Sequence, residues 1–134
     1  MSSIISIIEK LQGLRCLVPL SEKDINNAEK VLSLRFADEY RMYTKKFGAI
    51  SANGIELTGV VSAPRLNVVD VTTLEKSLNP NIPDDMYVIE NTGIDGILML
   101  QNARGDIFSI SPTSKPVKKF YSLTEYLRSI KNQN

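Results

Sequence analysis

The sequence predicts an α+β fold, in which an antiparallel sheet is packed by N-terminal helices and a C-terminal helix. Helical apolar spacing fills the first third of the chain, and short strand patterns separated by turn residues fill the middle. A capped amphipathic pattern then ends the chain. With 134 residues, 43% of them hydrophobic and 23% charged, we expect a single domain over residues 1–134.

Three helices are predicted in the N-terminal third. The first has an isoleucine-rich side and ends at Gly13. The second begins at Ser21, where Asp24 completes a capping box. The third spans Asp38–Phe47, with Asp38 expected to cap its start and Gly48 to end it. The apolar stripe of the second helix is expected to comprise Ile25, Ala28, Val31 and Leu32.

The third helix carries three rings on one face. Tyr40, Tyr43 and Phe47 stand at i, i+3 and i+7, a spacing that places them side by side. Such a stripe could bind a partner, but rings at helical spacing normally pack against a sheet. We therefore expect these three side chains in the core.

Strand patterns follow the third helix. Ile55–Thr58 alternates apolar and polar residues, and Gly59–Val61 is expected to extend that strand. Leu66–Val71 fits a strand or an irregular edge, and Thr72 or Thr73 is expected to cap a short helix after it. The clearest strand patterns come next, at Met86–Glu90, Gly96–Gln101 and Asp106–Ile110, and their spacing predicts an antiparallel meander. Val117–Phe120 fits an edge strand of that sheet. A last helix follows, with a capping box of Ser122 and Glu125 at its start.

The residue inventory opposes most enzyme chemistry. The chain has no histidine and one cysteine, so neither a Ser-His-Asp nor a Cys-His nucleophile system can be assembled. Histidine-based zinc sites are excluded for the same reason, and no glycine-rich nucleotide loop occurs. We therefore expect no catalytic residue, no metal, no cofactor and no enzyme. Cys16, unable to form an internal disulfide, is expected to be a small buried hydrophobe in a reducing cytoplasm.

Charge is unevenly distributed although the formal net charge is only +1. Residues 77–103 contain no lysine or arginine, whereas residues 104–134 are basic. The near-neutral net charge argues against a dedicated nucleic-acid binder. The apolar runs are too short for a membrane-spanning helix. The acidic segment is either solvated loops or a partner-binding patch. Because binding residues favour loops on a rigid scaffold, the acidic turns are the better place to expect a partner.

Several motifs in order resemble the SUKH superfamily, named after a yeast cell-wall regulator. They are Leu-Arg-Phe-Ala-Asp-Glu-Tyr at 34–40 with Phe-Gly at 47–48, then Val-Ile-Glu-Asn at 88–91 with Asp-Gly at 95–96. Gly-Asp-Ile-Phe at 105–108 follows. The resemblance covers about residues 21–130 and implies a SUKH-like α+β scaffold. One departure is Phe36-Ala37 where the superfamily usually has Leu-Pro, and proline at the first helical position is favourable but not required.

The resemblance implies that the chain is an immunity protein. Bacterial members commonly bind a cognate secreted or contact-delivered toxin, often a nuclease, in the cytoplasm of the producer. An acidic surface can mimic the phosphate that a nuclease binds, although the toxin could equally be a deaminase or have another activity. The alternatives are a regulatory or scaffold module of the superfamily and, third, a small hydrolase or nucleic-acid binder. The candidate toxin-binding residues are Glu56, Asp84, Asp85, Glu90, Asp95 and Asp106.

Overall fold

The computed structural model describes residues 3–131. Within that range the chain forms five α-helices, one short 3₁₀ helix and seven strands. In chain order these are α1 Ser3–Glu9, β1 Arg15–Cys16, α2 Glu22–Leu32, α3 Asp38–Phe47, β2 Ile50–Ala52, β3 Ile55–Leu57, the 3₁₀ helix Pro64–Leu66, α4 Val68–Leu78, β4 Tyr87–Asn91, β5 Leu98–Gln101, β6 Ile107–Ile110, β7 Val117–Phe120 and α5 Leu123–Lys131.

The strands form two antiparallel sheets. A three-stranded sheet has the order β1-β2-β3, and a four-stranded meander has the order β4-β5-β6-β7. The α+β class and the meander are confirmed. In the small sheet, β1 and β2 were not predicted. They span only two and three residues and are too short to show the alternation of apolar and polar residues that marks a strand. Glu56, in β3, consequently lies outside the meander, although the backbone N–H of Thr58 donates to the Ile89 carbonyl at 2.9 Å.

The main core lies between the helices and one face of the meander. Tyr40, Tyr43 and Phe47 are all buried, which confirms the predicted role of the ring face of α3. The ring of Tyr40 stands 4.9 Å from that of Tyr87 on β4, and the ring of Phe36 stands 4.8 Å from it. The tilted contact of Tyr40 and the edge-on contact of Phe36 join α3 and the residues just before it to the meander.

The other face of the meander is covered by α4 and by the loop 79–86. Alternate residues of β5 point to the two faces, with Met99 in the main core and Leu100 in the outer cluster. Ile82 and Met86 of the loop pack on that outer cluster. Strands β4 and β5 are therefore covered on both faces, which explains why β5 is uniformly buried, whereas most of β7 is exposed.

The start of α4 corrects the interpretation of residues 66–71 as a strand. The side chain of Asn67 caps α4 by accepting from the backbone N–H groups of Val69 and Asp70. Thr72 is not a cap: it lies inside α4, is buried, and its hydroxyl accepts from the Val88 N–H at 3.0 Å. The valine-rich run mimics a strand, but the Asn67 cap and the bond to β4 fix a helix there.

Two glycines bring distant backbone segments together. Gly48 ends α3 at φ +74° and donates its N–H to Thr44, which confirms the predicted helix end. Gly59 lies so close to the backbone of Gly48 that a Cβ at residue 59 would stand 1.8 Å from the Gly48 carbonyl oxygen. Gly59 does not extend β3; it makes an isolated parallel bridge to Asn67 instead. A side chain at residue 59 is therefore excluded by the backbone.

Local predictions at three further places need correction. Asp38 is the first residue of α3 and the cap position is Ala37, which has no side-chain cap. Val31 is exposed rather than part of the buried stripe of α2, where Ile25 and Ala28 are buried. Cys16 is exposed, since β1 is an edge strand of the small sheet. Each error arises because residue spacing alone does not show which neighbour packs on an element.

The capping box predicted for α2 is confirmed, whereas at α5 the cap by Ser122 forms but the Glu125 carboxylate bonds to the backbone of Tyr121 instead of Ser122. Ser21 and Asp24 form the full capping box of α2. At α5 the Ser122 hydroxyl accepts from the Glu125 N–H at 3.0 Å, and the Glu125 carboxylate accepts from the Tyr121 N–H. The inward side chains of α5 are Leu123, Leu127 and Ile130.

Candidate functional site

The six sequence-predicted acidic residues do not form one patch. Asp84 and Asp85 are exposed in the loop before β4, whereas Asp95 is exposed in the turn after β4. They therefore lie at opposite ends of that strand. The Lys76 ammonium donates to the Asp84 carbonyl at 2.9 Å, so a cation stands beside the first pair.

Glu90 is removed from the candidate surface by burial. Only 4% of the residue is exposed, and its carboxylate accepts a hydrogen bond from the Tyr126 hydroxyl on α5. A register irregularity lies between Val88 and Glu90 in the pairing of β4 with β5. Burial raises the pKa of Glu90, and the bond from Tyr126 opposes that rise. Glu90 thus connects α5 to the meander and offers little surface to a partner.

Replacing Glu90 by glutamine is expected to remove a pH-dependent loss of stability. Because the folded-state pKa lies above the ordinary value of 4.5, the folded state holds the proton more tightly than the unfolded chain. The contribution of Glu90 to wild-type stability is then greatest below pH 4.5 and is lost as the pH rises through the folded pKa. The loss amounts to about 1.4 kcal/mol for each pH unit by which the pKa is raised. Urea denaturation from pH 4 to 8 measures it.

The matched variant for this experiment is Tyr126→Phe. It removes the hydrogen bond that lowers the Glu90 pKa, so the loss of stability should extend to higher pH than in the wild type. Superimposable pH profiles for the wild type and Glu90→Gln would show that the carboxylate has the same pKa folded and unfolded.

Asp106 and Glu56 are engaged in ion pairs. Asp106 contacts Lys118 at 3.2 Å and Arg104 at 3.4 Å. Burial acts to raise its pKa, but hydrogen bonds from Asn102 and Lys118 hold the pKa below its usual value. Glu56 receives both guanidinium N–H groups of Arg65, at 2.6 and 3.0 Å, and this bond lowers the Glu56 pKa. Their charges are thus partly compensated within the chain.

A groove of about 630 Å³ lies between β3, the 3₁₀ helix, α4 and the turn that joins β4 to β5. Glu56 belongs to its rim, and Asn91 and Gly93 place the Asp95 turn at its edge. The residues that line it are Glu56, Thr58, Pro64, Arg65, Leu66, Asp70, Val71, Leu74, Glu75, Asn91 and Gly93.

The groove combines apolar surface with acidic side chains. Leu74 projects from α4 with 56% of the residue exposed, and Ile94 in the neighbouring turn is 65% exposed. Three lining carboxylates, from Glu56, Asp70 and Glu75, stand against one guanidinium. Among residues 3–131 the Asp70 and Glu75 carboxylates have no hydrogen bond or ion pair. This mixture is typical of a protein-binding surface.

Sequence reasoning missed Asp70, Leu74 and Glu75. The helix predicted after Thr72 or Thr73 includes Leu74 and Glu75 but begins too late to include Asp70. The available signal was the spacing of Val71, Leu74 and Leu78 at i, i+3 and i+7, which indicates an apolar helix face. Folding that helix beside β3 and the Asp95 turn makes the groove, and no local pattern shows that juxtaposition.

The fold and the groove define a small α+β domain with a surface suited to binding. The family model described as SMI1-KNR4 cell-wall, SUKH_5, matches residues 1–132. The chain therefore belongs to the SUKH superfamily, as the motif order in the sequence indicated. A search of curated proteins finds no match. Among residues 3–131 no helix is long and apolar enough to cross a membrane.

Proposed function

We propose that this chain is an immunity protein that binds a cognate bacterial toxin in the cytoplasm and neutralises it by one-to-one association. It acts by occupying the toxin, with no catalysis and no cofactor of its own. The observation that carries the proposal is the surface of this SUKH domain, where exposed apolar side chains stand beside carboxylates that have no partner among the described residues.

A nuclease domain is the toxin class that this surface favours. Nuclease clefts are cationic because they bind phosphate, and carboxylates placed on a rigid scaffold can occupy such a cleft. Opposite charge also steers association, which matters for an inhibitor that must reach the toxin before its substrate does. The near-neutral total charge of the chain means that the local distribution, and not the sum, has to supply that steering.

Co-expression with a toxin domain tests this function. The gene beside this one is expected to encode a large toxin with a variable C-terminal domain. Cells that produce that domain alone should stop growing, and cells that also produce this chain should grow as well as cells with a catalytically inactive toxin domain. Growth arrest in the presence of the folded, abundant chain would refute the immunity function.

A regulatory or scaffold role is the second candidate, favoured by the cell-wall description of the matching family. A scaffold role uses the same binding chemistry as immunity, but its partner is a protein other than a toxin. Affinity purification of the chain from its own cells distinguishes the two roles. Recovery of a housekeeping complex without a toxin would support the scaffold role, and recovery of the neighbouring gene product would support immunity.

A further inference from the structure

We propose that the groove between α4 and the turn joining β4 to β5 is the toxin-docking surface, and that it receives a basic segment of the toxin with an apolar tip. This inference rests on the proposed immunity function and adds to it the place of contact and the chemistry of the contacted element. The occupant presents lysine or arginine side chains on both sides of one or two large apolar side chains.

The apolar part of the groove favours a large apolar side chain at the centre of the bound toxin segment. Buried Leu66 and half-buried Val71 line the groove, and Leu74 lines it with more than half of the residue exposed. Ile94 adds exposed apolar surface in the turn, next in the chain to the lining residue Gly93. Burial of such side chains by a partner is favourable at about 25 cal/mol per Å² of apolar area. An aliphatic or aromatic side chain can therefore anchor in the centre of the groove.

The charge of the groove favours lysine or arginine on both sides of that apolar side chain in the toxin segment. Asp70 and Glu75 stand on the same helix on either side of Leu74 and Val71, and both carboxylates lack an ion pair within residues 3–131. The cation in the lining, Arg65, is held by both oxygens of Glu56. A cationic segment thus meets carboxylates that it does not have to detach from internal partners, whereas an acidic segment would be repelled.

The other acidic loop does not offer this combination. Asp84 and Asp85 lie outside the groove lining, and the Lys76 ammonium is bonded to the Asp84 carbonyl. The apolar residues nearest in the chain, Ile82 and Met86, are buried in the outer cluster of the meander. The loop 79–86 carries charge without an exposed large apolar side chain of its own, so we assign docking to the groove.

Two double charge reversals distinguish these surfaces. Asp70→Lys with Glu75→Lys changes the groove, and Asp84→Lys with Asp85→Lys makes the same change of net charge in the loop. In calorimetric titration with the neighbouring toxin domain, the groove variant is expected to bind at least 100-fold more weakly and to lose protection of growth. The loop variant is expected to stay within about threefold of the wild type.

Three further variants test the apolar anchor and the fold. Leu74→Ser is expected to weaken binding about tenfold, whereas Val31→Ser, equally exposed on α2, should leave it unchanged. Because Asp70 lies in the first turn of α4, the milder pair Asp70→Asn with Glu75→Gln is included. Thermal melts identify the variants that keep their fold. The affinity of those variants for the toxin domain then shows whether the groove is the docking surface.

The outcomes are distinguishable. Tight binding by the wild type and by every folded groove variant would overturn the docking site and leave the immunity function standing. Equal weakening by the groove and loop reversals would also overturn it, since general electrostatics would then account for both. A wild-type chain that does not bind the toxin domain at all would refute the immunity function and, with it, this assignment.

Discussion

Tyr40→Ala is expected to lower the free energy of unfolding by about 3–5 kcal/mol, the range for truncating a large buried aromatic side chain. The residue is fully buried and its ring lies 5.1 Å from Phe36 and 4.9 Å from Tyr87. Its hydroxyl also stands 2.8 Å from the Thr58 Oγ1. Because Thr58 donates its own hydrogen to the Val88 carbonyl, Tyr40 is the donor in that pair.

The control is Tyr121→Ala, a substitution of the same residue type at a position that is 72% exposed. Its ring is contacted by the Lys118 ammonium at 4.1 Å, so the loss should stay below about 1 kcal/mol. Tyr40→Phe isolates the hydroxyl and should cost about 1 kcal/mol. Equal urea midpoints for Tyr40→Ala and Tyr121→Ala would contradict the assignment of the α3 rings to the core.

Glu39→Ala is expected to cost about 2–4 kcal/mol, because one carboxylate connects α3, the meander and α5. Its Oε2 accepts from the Leu123 N–H at 2.6 Å and from the Gln101 side-chain amide at 3.0 Å. Its Oε1 accepts from the backbone N–H and the hydroxyl of Thr124, each at 3.2 Å. A carboxylate at the N-terminus of α5 is also favoured by the helix dipole.

The neighbouring residue provides the control for this prediction. Asp38→Ala changes an exposed carboxylate of the same helix turn that has no hydrogen bond among the described residues, so its effect should stay below about 1 kcal/mol. Amide hydrogen exchange reports the specific defect. The Leu123 and Thr124 amides should exchange faster in Glu39→Ala than in Asp38→Ala, and equal protection in both would show that Glu39 does not hold α5.

Helices with complete local signals could be predicted from the sequence. The box of Ser21 and Asp24 and the ring spacing of α3 are decided within one or two turns, and the structure confirms both. Residues 66–71 were assigned wrongly because valines suit either a strand or a buried helix, and the choice depends on the Asn67 cap and on packing against β4. The strands β1 and β2 are stabilised by pairing between distant segments, which spacing does not reveal.

The candidate site could be predicted only in part. Acidic residues beside turns were visible in the sequence, and two of them, Glu56 and Asp95, lie at the rim or edge of the groove. The burial of Glu90 depends on the packing of Tyr126 from α5, and the pairing of Asp106 depends on Lys118 from β7. Tyr126 and Lys118 lie on other elements, so the position of these carboxylates beside turns did not reveal the two contacts.

The most direct test of one-to-one neutralisation is a titration of toxin activity. A fixed concentration of the purified toxin domain, well above the dissociation constant, is mixed with increasing amounts of this chain, and the residual activity is measured. The account predicts a linear fall that reaches zero at one chain per toxin domain. Full activity in the presence of excess chain, or complete inactivation by a small fraction of an equivalent, would contradict it, the latter because only an enzyme could act at that ratio.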